Sequence, residues 1–117
     1  MKGCMKFKGI KGEFKIYPGY AYAVSPDGRI LNVRTQRVRK TLPNSKSGYH
    51  MIILLADGGY KGLYIHRMVA ELFVPNPNGY RYVTHINGNR GDNRAENLEW
   101  ISDAEFKSRF KNKKHNE

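Results

Sequence analysis

The sequence predicts an α+β fold made of small β-hairpins, two helices and one looped hairpin near its C-terminal end. Three observations support this prediction. Short runs of β-branched and aromatic residues are separated by clusters of Pro, Asp, Asn and Gly, which favour turns. The stretch 65–73 has apolar residues at helical spacing. Ser102 and Glu105 form a capping box, which predicts that a second helix begins there.

Length and charge restrict the class of protein. The chain has 117 residues, enough for one domain, with 21 Lys and Arg against 10 Asp and Glu. Basic residues concentrate at the N-terminus, in 28–48 and after residue 106, a distribution that favours a polyanion through counterion release. No basic block alternates with a wide apolar face, and no apolar run approaches the roughly 18 residues that span a membrane. We therefore expect a nucleic-acid partner and no membrane contact.

The cysteine content indicates a reducing compartment. Cys4 is the single cysteine of the sequence, so neither an internal disulfide nor a multi-cysteine zinc site can form. The N-terminal lysines are not followed by an apolar signal core. We expect a cytoplasmic protein, in a host or infected bacterial cell, that is a monomer.

The N-terminal half predicts a basic arm followed by a hairpin. Residues 1–12 are expected to form a flexible basic arm. Residues 20–24 and 29–33 are β-prone and flank Ser25-Pro26-Asp27-Gly28, in which Pro fixes φ and Gly permits an unusual one. Residues 34–48 are basic and polar and are expected to form a long exposed loop. Residues 13–48 are therefore expected to form one hairpin unit with a basic loop.

A second hairpin and a helix follow. Residues 49–55 and 60–65 are β-prone around the turn at 57–59. In the next stretch Ile65, Val69, Leu72 and Phe73 fall on one helical face, with Met68 at its edge, which predicts a core-packing helix. The Pro- and Asn-rich stretch 75–79 ends it.

The last part of the chain contains the looped hairpin. Tyr82 and Val83 begin a short strand that delivers His85, a run of Asn, Gly and Asp follows over 87–93, and the chain returns through Leu98 and Trp100. The helix that begins after Ser102 is expected to run to about residue 113. Tyr82 and Trp100 are interpreted as packing residues, with base stacking as the alternative.

Four segments resemble the phage-type HNH homing endonucleases. They are G-Y-A-Y-A-V-S-P-D-G-R-I at 19–30, G-Y-H-M-I-I-L at 48–54, I-H-R-M-V-A-E-L-F-V-P-N-P at 65–77 and V-T-H-I-N-G-N-R-G-D-N-R-A-E-N-L-E-W-I-S at 83–102. In that family a small DNA-binding module precedes a ββα-metal (His-Me finger) nuclease core. The resemblance covers residues 14–102 and implies a DNA-binding hairpin module at 13–48 and a core at 49–105, with 106–117 as the basic end of the C-terminal helix and a tail.

The resemblance implies roles for individual residues. The general base of the family matches His85, and an imidazole titrating near neutral pH suits the activation of a water molecule. The Asn that braces the loop and orients this histidine matches Asn97. A metal ion, Mg²⁺ or Mn²⁺, stabilises the scissile phosphate and the leaving oxygen in active members. Its ligands are an Asp or Asn just before the histidine and an Asn or His on the following helix.

The sequence departs from the family at both ligand positions. Thr84 precedes His85, and Phe106 occupies the helix position. Threonine is a poor neutral ligand for a hard cation and phenylalanine has no ligand atom, so we assign no metal residue and expect no cofactor if the protein is inactive. A displaced site using Asp92 or Asp103 is the open alternative. His85 itself is either the general base or only a loop-bracing hydrogen-bonding residue.

Basic residues in the loop and the last helix are the predicted DNA contacts. They would mostly bind phosphates, with one or two arginines reading guanine edges. His66 is interpreted as a structural residue beneath the hairpin, and His50 as a strand residue that could touch DNA. The predicted DNA-binding residues are Arg29, Arg34, Arg37, Arg39, Lys40, Lys46, Lys107, Lys111 and Lys114.

Three functions are compatible with these residues. The first is a duplex-DNA-binding protein of the HNH fold with weak or lost nuclease activity, used by a phage as a regulator or as an inhibitor of a host DNA-processing protein. The second is an active metal-dependent nickase with His85 as general base. The third is RNA binding, which the charge alone permits.

Overall fold

The computed structural model describes residues 4–7, 9–43, 47–56 and 58–115, and within these ranges no side chain is described at 4, 42 or 110–115. The predicted α+β fold is confirmed. No helix of the described chain is both long and apolar enough to cross a membrane. The strands are β1 (Cys4–Phe7), β2 (Ile10–Ile16), β3 (Tyr22–Val24), β4 (Ile30–Asn32), β5 (Arg37–Arg39), β6 (Leu42–Pro43), β7 (His50–Ala56), β8 (Gly59–Tyr64), β9 (Tyr82–His85) and β10 (Leu98–Ile101). The helices are α1 (Ile65–Phe73) and α2 (Asp103–His115), and a 3₁₀ helix spans Ala95–Asn97.

The first five strands form one antiparallel sheet in chain order. The prediction of a flexible arm over 1–12 is therefore wrong where the chain is described, because β1 and the first three residues of β2 lie in that range. Phe7 packs edge-on against the fully buried Phe14, with ring centroids 5.9 Å apart. The lysines of this segment alternate with apolar residues, a strand pattern that their charge concealed.

The basic segment after β4 is also more ordered than predicted. Arg37–Arg39 forms β5, an edge strand whose Val38 pairs with Leu31 of β4. Its residues are exposed, as predicted for this segment. This short segment forms a strand because pairing with β4 supplies hydrogen-bond partners for its backbone. Charged residues on such an edge strand discourage pairing with another chain.

The turn at Ser25–Gly28 joins β3 and β4 as predicted. Gly28 has φ +90°, and its N–H donates to the carbonyl of Ser25 at 3.0 Å. The Ser25 hydroxyl accepts from the N–H of Arg29 at 2.8 Å. Non-glycine residues rarely adopt this φ, so glycine is needed here.

The central helix α1 packs against the remaining strands. Ile65, Met68 and Val69 are buried among residues of β3, β4, β7, β9 and β10, which confirms the predicted helical stripe. The three-stranded sheet β6-β7-β8 and the hairpin β9-β10 contribute Leu54, Val83 and Leu98, among others, to this core. The Trp100 indole N–H donates to the carbonyl of Val74 at 3.1 Å, so Trp100 packs just beyond α1.

The first sheet is attached to this core by polar contacts. The Lys15 ammonium donates to the carbonyl of Leu72 at 3.2 Å, and Tyr17 donates to Glu71, so β2 is held against the end of α1. The N–H of Ala95 donates to the carbonyl of Pro26 at 2.7 Å. The turn between β3 and β4 therefore lies against the loop of the hairpin β9-β10.

Helix α2 begins at the predicted cap. The Ser102 hydroxyl accepts from the N–H of Glu105 at 3.1 Å, and its carbonyl accepts from Phe106 at 2.9 Å. The Glu105 carboxylate pairs with Arg109 one turn later instead of reaching back. The helix thus uses the Ser102 half of the capping box.

Candidate active site and nucleic-acid interface

The hairpin β9-β10 positions His85. Its two strands pair antiparallel, with Leu98 opposite His85 and Trp100 opposite Val83. Residues alternate between the two faces of β9, so Val83 and His85 both point towards α1 and both are buried. His85 therefore lies at the end of the first finger strand, beneath the polar loop.

Asn97 holds the loop in shape. Its side-chain oxygen accepts from the N–H of Asn87 at 3.1 Å, while its amide nitrogen donates to the Asn87 side-chain oxygen at 3.0 Å and to the Asp92 carbonyl at 2.9 Å. The residue is buried, so these bonds replace contacts with water. The geometry matches a loop-bracing residue.

The His85 ring is oriented by Asn93. Its Nε2 lies 2.7 Å from Asn93 Oδ1, and because a carbonyl oxygen can only accept, Nε2 carries the proton and Nδ1 keeps its lone pair. The pKa of His85 is lowered, first by burial and then by the positive charge of Arg90, while the bond to Asn93 opposes this. The ring is thus neutral at neutral pH, which is the form that a general base requires.

Gly28 approaches the residue that orients this ring. A Cβ placed on Gly28 would lie 3.2 Å from the Cβ of Asn93 and 3.4 Å from its carbonyl oxygen. The turn of the first hairpin therefore contacts the hydrogen-bond partner of His85 directly.

His85 belongs to a stack of rings that sequence analysis missed. Tyr49 lies on His66 with centroids 4.8 Å apart and planes 17° from parallel, and His66 lies 5.0 Å from His85. The guanidinium of Arg90 lies over the ring of Tyr49, 4.5 Å from its centroid. We call Arg90, Tyr49, His66 and His85 the ring stack. Its members come from three separate segments, because only His85 and Arg90 are close in sequence, so local sequence patterns do not bring the whole stack together.

One polar atom of His66 is unsatisfied within the described chain. The residue is 6% exposed, and its Nδ1 has no hydrogen-bond partner among the described residues. Burial lowers the pKa of His66 to about 3, with further lowering by His85, Arg67 and Arg90. The ring is neutral across the physiological range. A structural position beneath the hairpin was predicted, but the unmet nitrogen was not.

The two expected metal-ligand positions do not suit a cation. Thr84 is half-buried on β9 opposite Glu99 and offers a neutral hydroxyl. The Phe106 ring lies flat on Tyr82, with centroids 3.9 Å apart and planes within 6°. Within the described part of the chain, no three His, Cys, Asp or Glu side chains are grouped so that they could hold a metal ion. The residues present therefore do not fit the metal of the family at this position.

The alternative ligands are already engaged by arginines. Arg94 donates to both oxygens of Asp92, at 2.8 and 2.9 Å, and its hydrogen bonds are the main cause of the lowered pKa of that carboxyl. Arg81 likewise pairs with Asp103. A cation at either carboxylate would compete with a bidentate guanidinium or displace it.

The predicted DNA-binding residues occupy different environments. Arg34, Arg37 and Lys40 are exposed, and Arg39 is exposed while donating to the Tyr22 hydroxyl at 3.1 Å. Arg29 differs, because it pairs with Asp27 at 3.0 Å and lies over the Phe14 ring. Lys107 is exposed on α2. Lys46 lies outside the described residues, as do the side chains of Lys111 and Lys114.

Comparison with known proteins identifies the family to which residues 63–106 belong. The sequence model of the HNH endonuclease family matches residues 63–106, which span α1, the hairpin β9-β10 and the start of α2. This segment belongs to the HNH family. A solved structure of DNA binding and cleavage by the HNH homing endonuclease I-HmuI matches with a TM-score of 0.73 and 30% identity. That match covers 86% of this chain and 59% of the other, so the structural similarity extends beyond the segment that the family model matches.

Curated relatives support the same conclusion. DNA endonuclease I-HmuI of Bacillus phage SP01 is 34% identical over 99 residues, which cover 84% of this chain and 53% of the relative. An uncharacterised HNH endonuclease of Acanthamoeba polyphaga mimivirus is 35% identical over 81 residues, 69% of this chain and 24% of the relative. The chain thus spans about half or less of the length of these relatives.

Proposed function

We propose that this HNH-fold protein binds double-stranded DNA and that its nuclease activity is weak or lost. The observation that carries the second part is the Phe106 ring stacked on Tyr82, at the helix position where the family has a metal ligand. An aromatic ring packed in this way supplies no electron pair to a hard cation. Together with Thr84, it removes both expected ligands while the fold around them is retained.

The proposal that the protein binds double-stranded DNA rests on its charge and on the proteins to which it is similar. The chain carries 21 Lys and Arg against 10 Asp and Glu, and exposed arginines line β5 and the turn before it. Phosphate contacts of this kind give affinity that falls steeply with salt. The HNH homing endonuclease I-HmuI, whose fold this chain shares, binds and cleaves DNA. The role that we propose for such a protein, which binds DNA without efficient cleavage, is that of a DNA-bound regulator.

The alternative function is an active nickase. His85 favours it, because its ring is neutral and Asn93 holds it in one tautomer, as a general base requires. In that case the metal would be held by residues other than Thr84 and Phe106. The alternative differs from the main proposal in one measurable property, which is cleavage.

The test uses supercoiled plasmid and a duplex gel shift. The protein is incubated with plasmid and Mg²⁺ or Mn²⁺ beside a His85→Ala variant, and duplex binding is measured at several salt concentrations. We expect a salt-sensitive shift and unchanged plasmid. Relaxed or linear plasmid that disappears with His85→Ala would establish the nickase instead. Absence of any duplex binding by the folded protein would refute the DNA-binding part.

A further inference from the structure

We propose that Arg90, held on the ring of Tyr49, forms a phosphate-binding site beside His85 and that a phosphodiester of the DNA backbone occupies it. This inference rests on the proposed DNA binding and assigns a contact that the distribution of basic residues in the sequence did not indicate. It makes Arg90 the residue that would bring the DNA backbone to the histidine.

The position of Arg90 is fixed by uncharged groups. Its guanidinium lies 4.5 Å from the Tyr49 ring centroid, and its Nη1 donates to the carbonyl of Ser47. Stacking uses one face of the guanidinium, and one N–H of its five is bonded to the backbone, so other donors stay available for an anion. A stacked arginine loses little further freedom when it binds a ligand, which favours its use as a fixed contact.

Arg90 is also not neutralised by any carboxylate among the described residues. By contrast, Arg94 in the same loop pairs with Asp92, and Arg81 at the start of the hairpin pairs with Asp103. Because carboxylates already satisfy those two arginines, Arg90 is the better phosphate ligand of the three.

The surroundings of Arg90 add to its positive potential. Tyr64 provides no side-chain cap for α1, and the first turn of that helix has no acidic residue. The positive end of the α1 dipole, where His66 enters the ring stack, is therefore not compensated by an acidic residue or a side-chain cap of the helix itself. Burial holds His66 neutral, so the ring stack carries its positive charge on Arg90.

A polar group without a partner lies in the same stack. His66 is 6% exposed and its Nδ1 has no hydrogen-bond partner within the described chain, although its ring lies directly on Tyr49. Buried polar atoms without partners are rare and need an explanation, such as a bound ion or ligand. This observation is independent of the charge of Arg90.

The experiment compares two matched arginines. Arg67 also lies over an aromatic ring, that of Trp100, and donates to a backbone carbonyl without an ion pair to a described carboxylate, but it lies outside the ring stack. We therefore use Arg90→Gln as the test variant, Arg90→Lys to retain charge without planar stacking, and Arg67→Gln as the control. Circular dichroism and thermal unfolding confirm that each variant is folded.

The first measurement is the salt dependence of binding to a short duplex of mixed sequence. Each lost phosphate contact reduces the slope of log K against log salt by about 0.9. We expect this reduction with Arg90→Gln and a slope near the wild-type value with Arg90→Lys and Arg67→Gln. Wild-type binding together with an unchanged affinity and slope in Arg90→Gln would refute the phosphate site and leave the proposed function intact.

The second measurement locates the ligand and separates the two proposals. Ring signals of His66 and His85 are followed by NMR while inorganic phosphate or the duplex is added. We expect both ligands to shift these signals in the wild type and in Arg67→Gln, but not in Arg90→Gln. Shifts with the duplex alone would still support the site and identify its ligand as a DNA phosphodiester. If the wild type bound no duplex, the proposed function would fail, and the phosphate titration would still test the site.

Discussion

The ring of Phe106 lies on the ring of Tyr82 with the two planes within 6° of parallel, so the first turn of α2 is attached to β9 by an aromatic contact. Such a pair contributes about 0.5–1.5 kcal/mol beyond the area that it buries. The resemblance to the HNH family implies a polar metal ligand at this position. The stack thus stabilises the finger at the position where ligation would occur.

Restoring polar residues at both positions should therefore restore metal binding. We expect the double variant Thr84→Asp with Phe106→Asn to bind Mn²⁺ more tightly than the wild type and to gain plasmid nicking, with some loss of stability from the broken stack. Isothermal titration with Mn²⁺ measures the first effect, and Phe106→Asn alone is the control. A folded double variant with no gain in Mn²⁺ affinity would show that the ligand positions are wrongly assigned.

Removing the loop brace should destabilise the finger. Asn97→Ala deletes three hydrogen bonds from a buried side chain and leaves the N–H and side chain of Asn87 with fewer partners. We expect the free energy of unfolding to fall by about 1–3 kcal/mol. Urea denaturation gives this value. Asn89→Ala is the matched control in the same loop, since Asn89 is exposed and water can replace its bonds; an equal loss in both variants would contradict a special role for Asn97.

Replacing His66 by an apolar ring should stabilise the fold. Phenylalanine keeps a flat ring against Tyr49 and removes the buried Nδ1 that has no partner among the described residues. Removing an unsatisfied buried polar group is expected to raise the free energy of unfolding by about 1–3 kcal/mol. Strain from the larger phenylalanine ring offsets part of this gain. We expect His66→Phe to raise the free energy of unfolding by about 1 kcal/mol. A lower stability than the wild type would mean that the imidazole nitrogen has a stabilising partner.

His66 should also make stability depend on pH. Burial lowers the pKa of His66 from 6.5, the ordinary value for histidine, to about 3 in the folded protein, so between these limits the unfolded chain binds one proton more. Stability then rises with pH across this window and falls on acidification, by at most about 1.4 kcal/mol per pH unit for one proton. Denaturation at pH 7 and pH 5 should show a smaller decrease for His66→Phe than for the wild type, with the remainder including His85. If the free energy of unfolding decreased equally in the wild type and in His66→Phe, the lowered pKa of His66 would be refuted as a cause of the pH dependence.

The exposed strand β5 should contribute to DNA affinity through charge. Reversing Arg37 and Arg39 to Glu is expected to weaken duplex binding and to flatten its salt dependence by roughly two phosphate contacts, a change of about 1.8 in slope. Arg29→Gln is the control, because the charge of Arg29 is already paired with Asp27. Equal affinity in the double variant would show that β5 lies away from the DNA.

Local sequence patterns predicted the parts of the fold that depend on local chemistry. The turn at Ser25–Gly28, the stripe of α1 and the Ser102 cap follow from φ preference, helical period and a side-chain acceptor. Strand β1 was missed because its lysines were interpreted as a solvated arm, whereas edge strands carry such residues on their open face. A stricter test for alternation would have found it.

Some residues of the candidate site could be found from the sequence and others could not. The resemblance pointed to His85 and Asn97, and the hydrogen bonds of Asn97 agree with a bracing role, while catalysis by His85 stays a prediction. Tyr49, His66 and Arg90 meet only through tertiary packing, so their contact could not be found from spacing. The basic residue within the Asn- and Gly-rich loop was the one available signal for Arg90.

The contact between Gly28 and Asn93 has a consequence for target length. Because a hairpin turn touches Asn93, the residue whose side chain orients His85, and Ala95 donates to Pro26 in the same turn, the arginine-bearing strand β5 and the histidine are held at a fixed separation. A duplex that contacts both would therefore need a fixed number of base pairs between the two contacted stretches. Inserting or deleting a single base pair between the two contacted stretches would shift one of them along and around the double helix, out of reach.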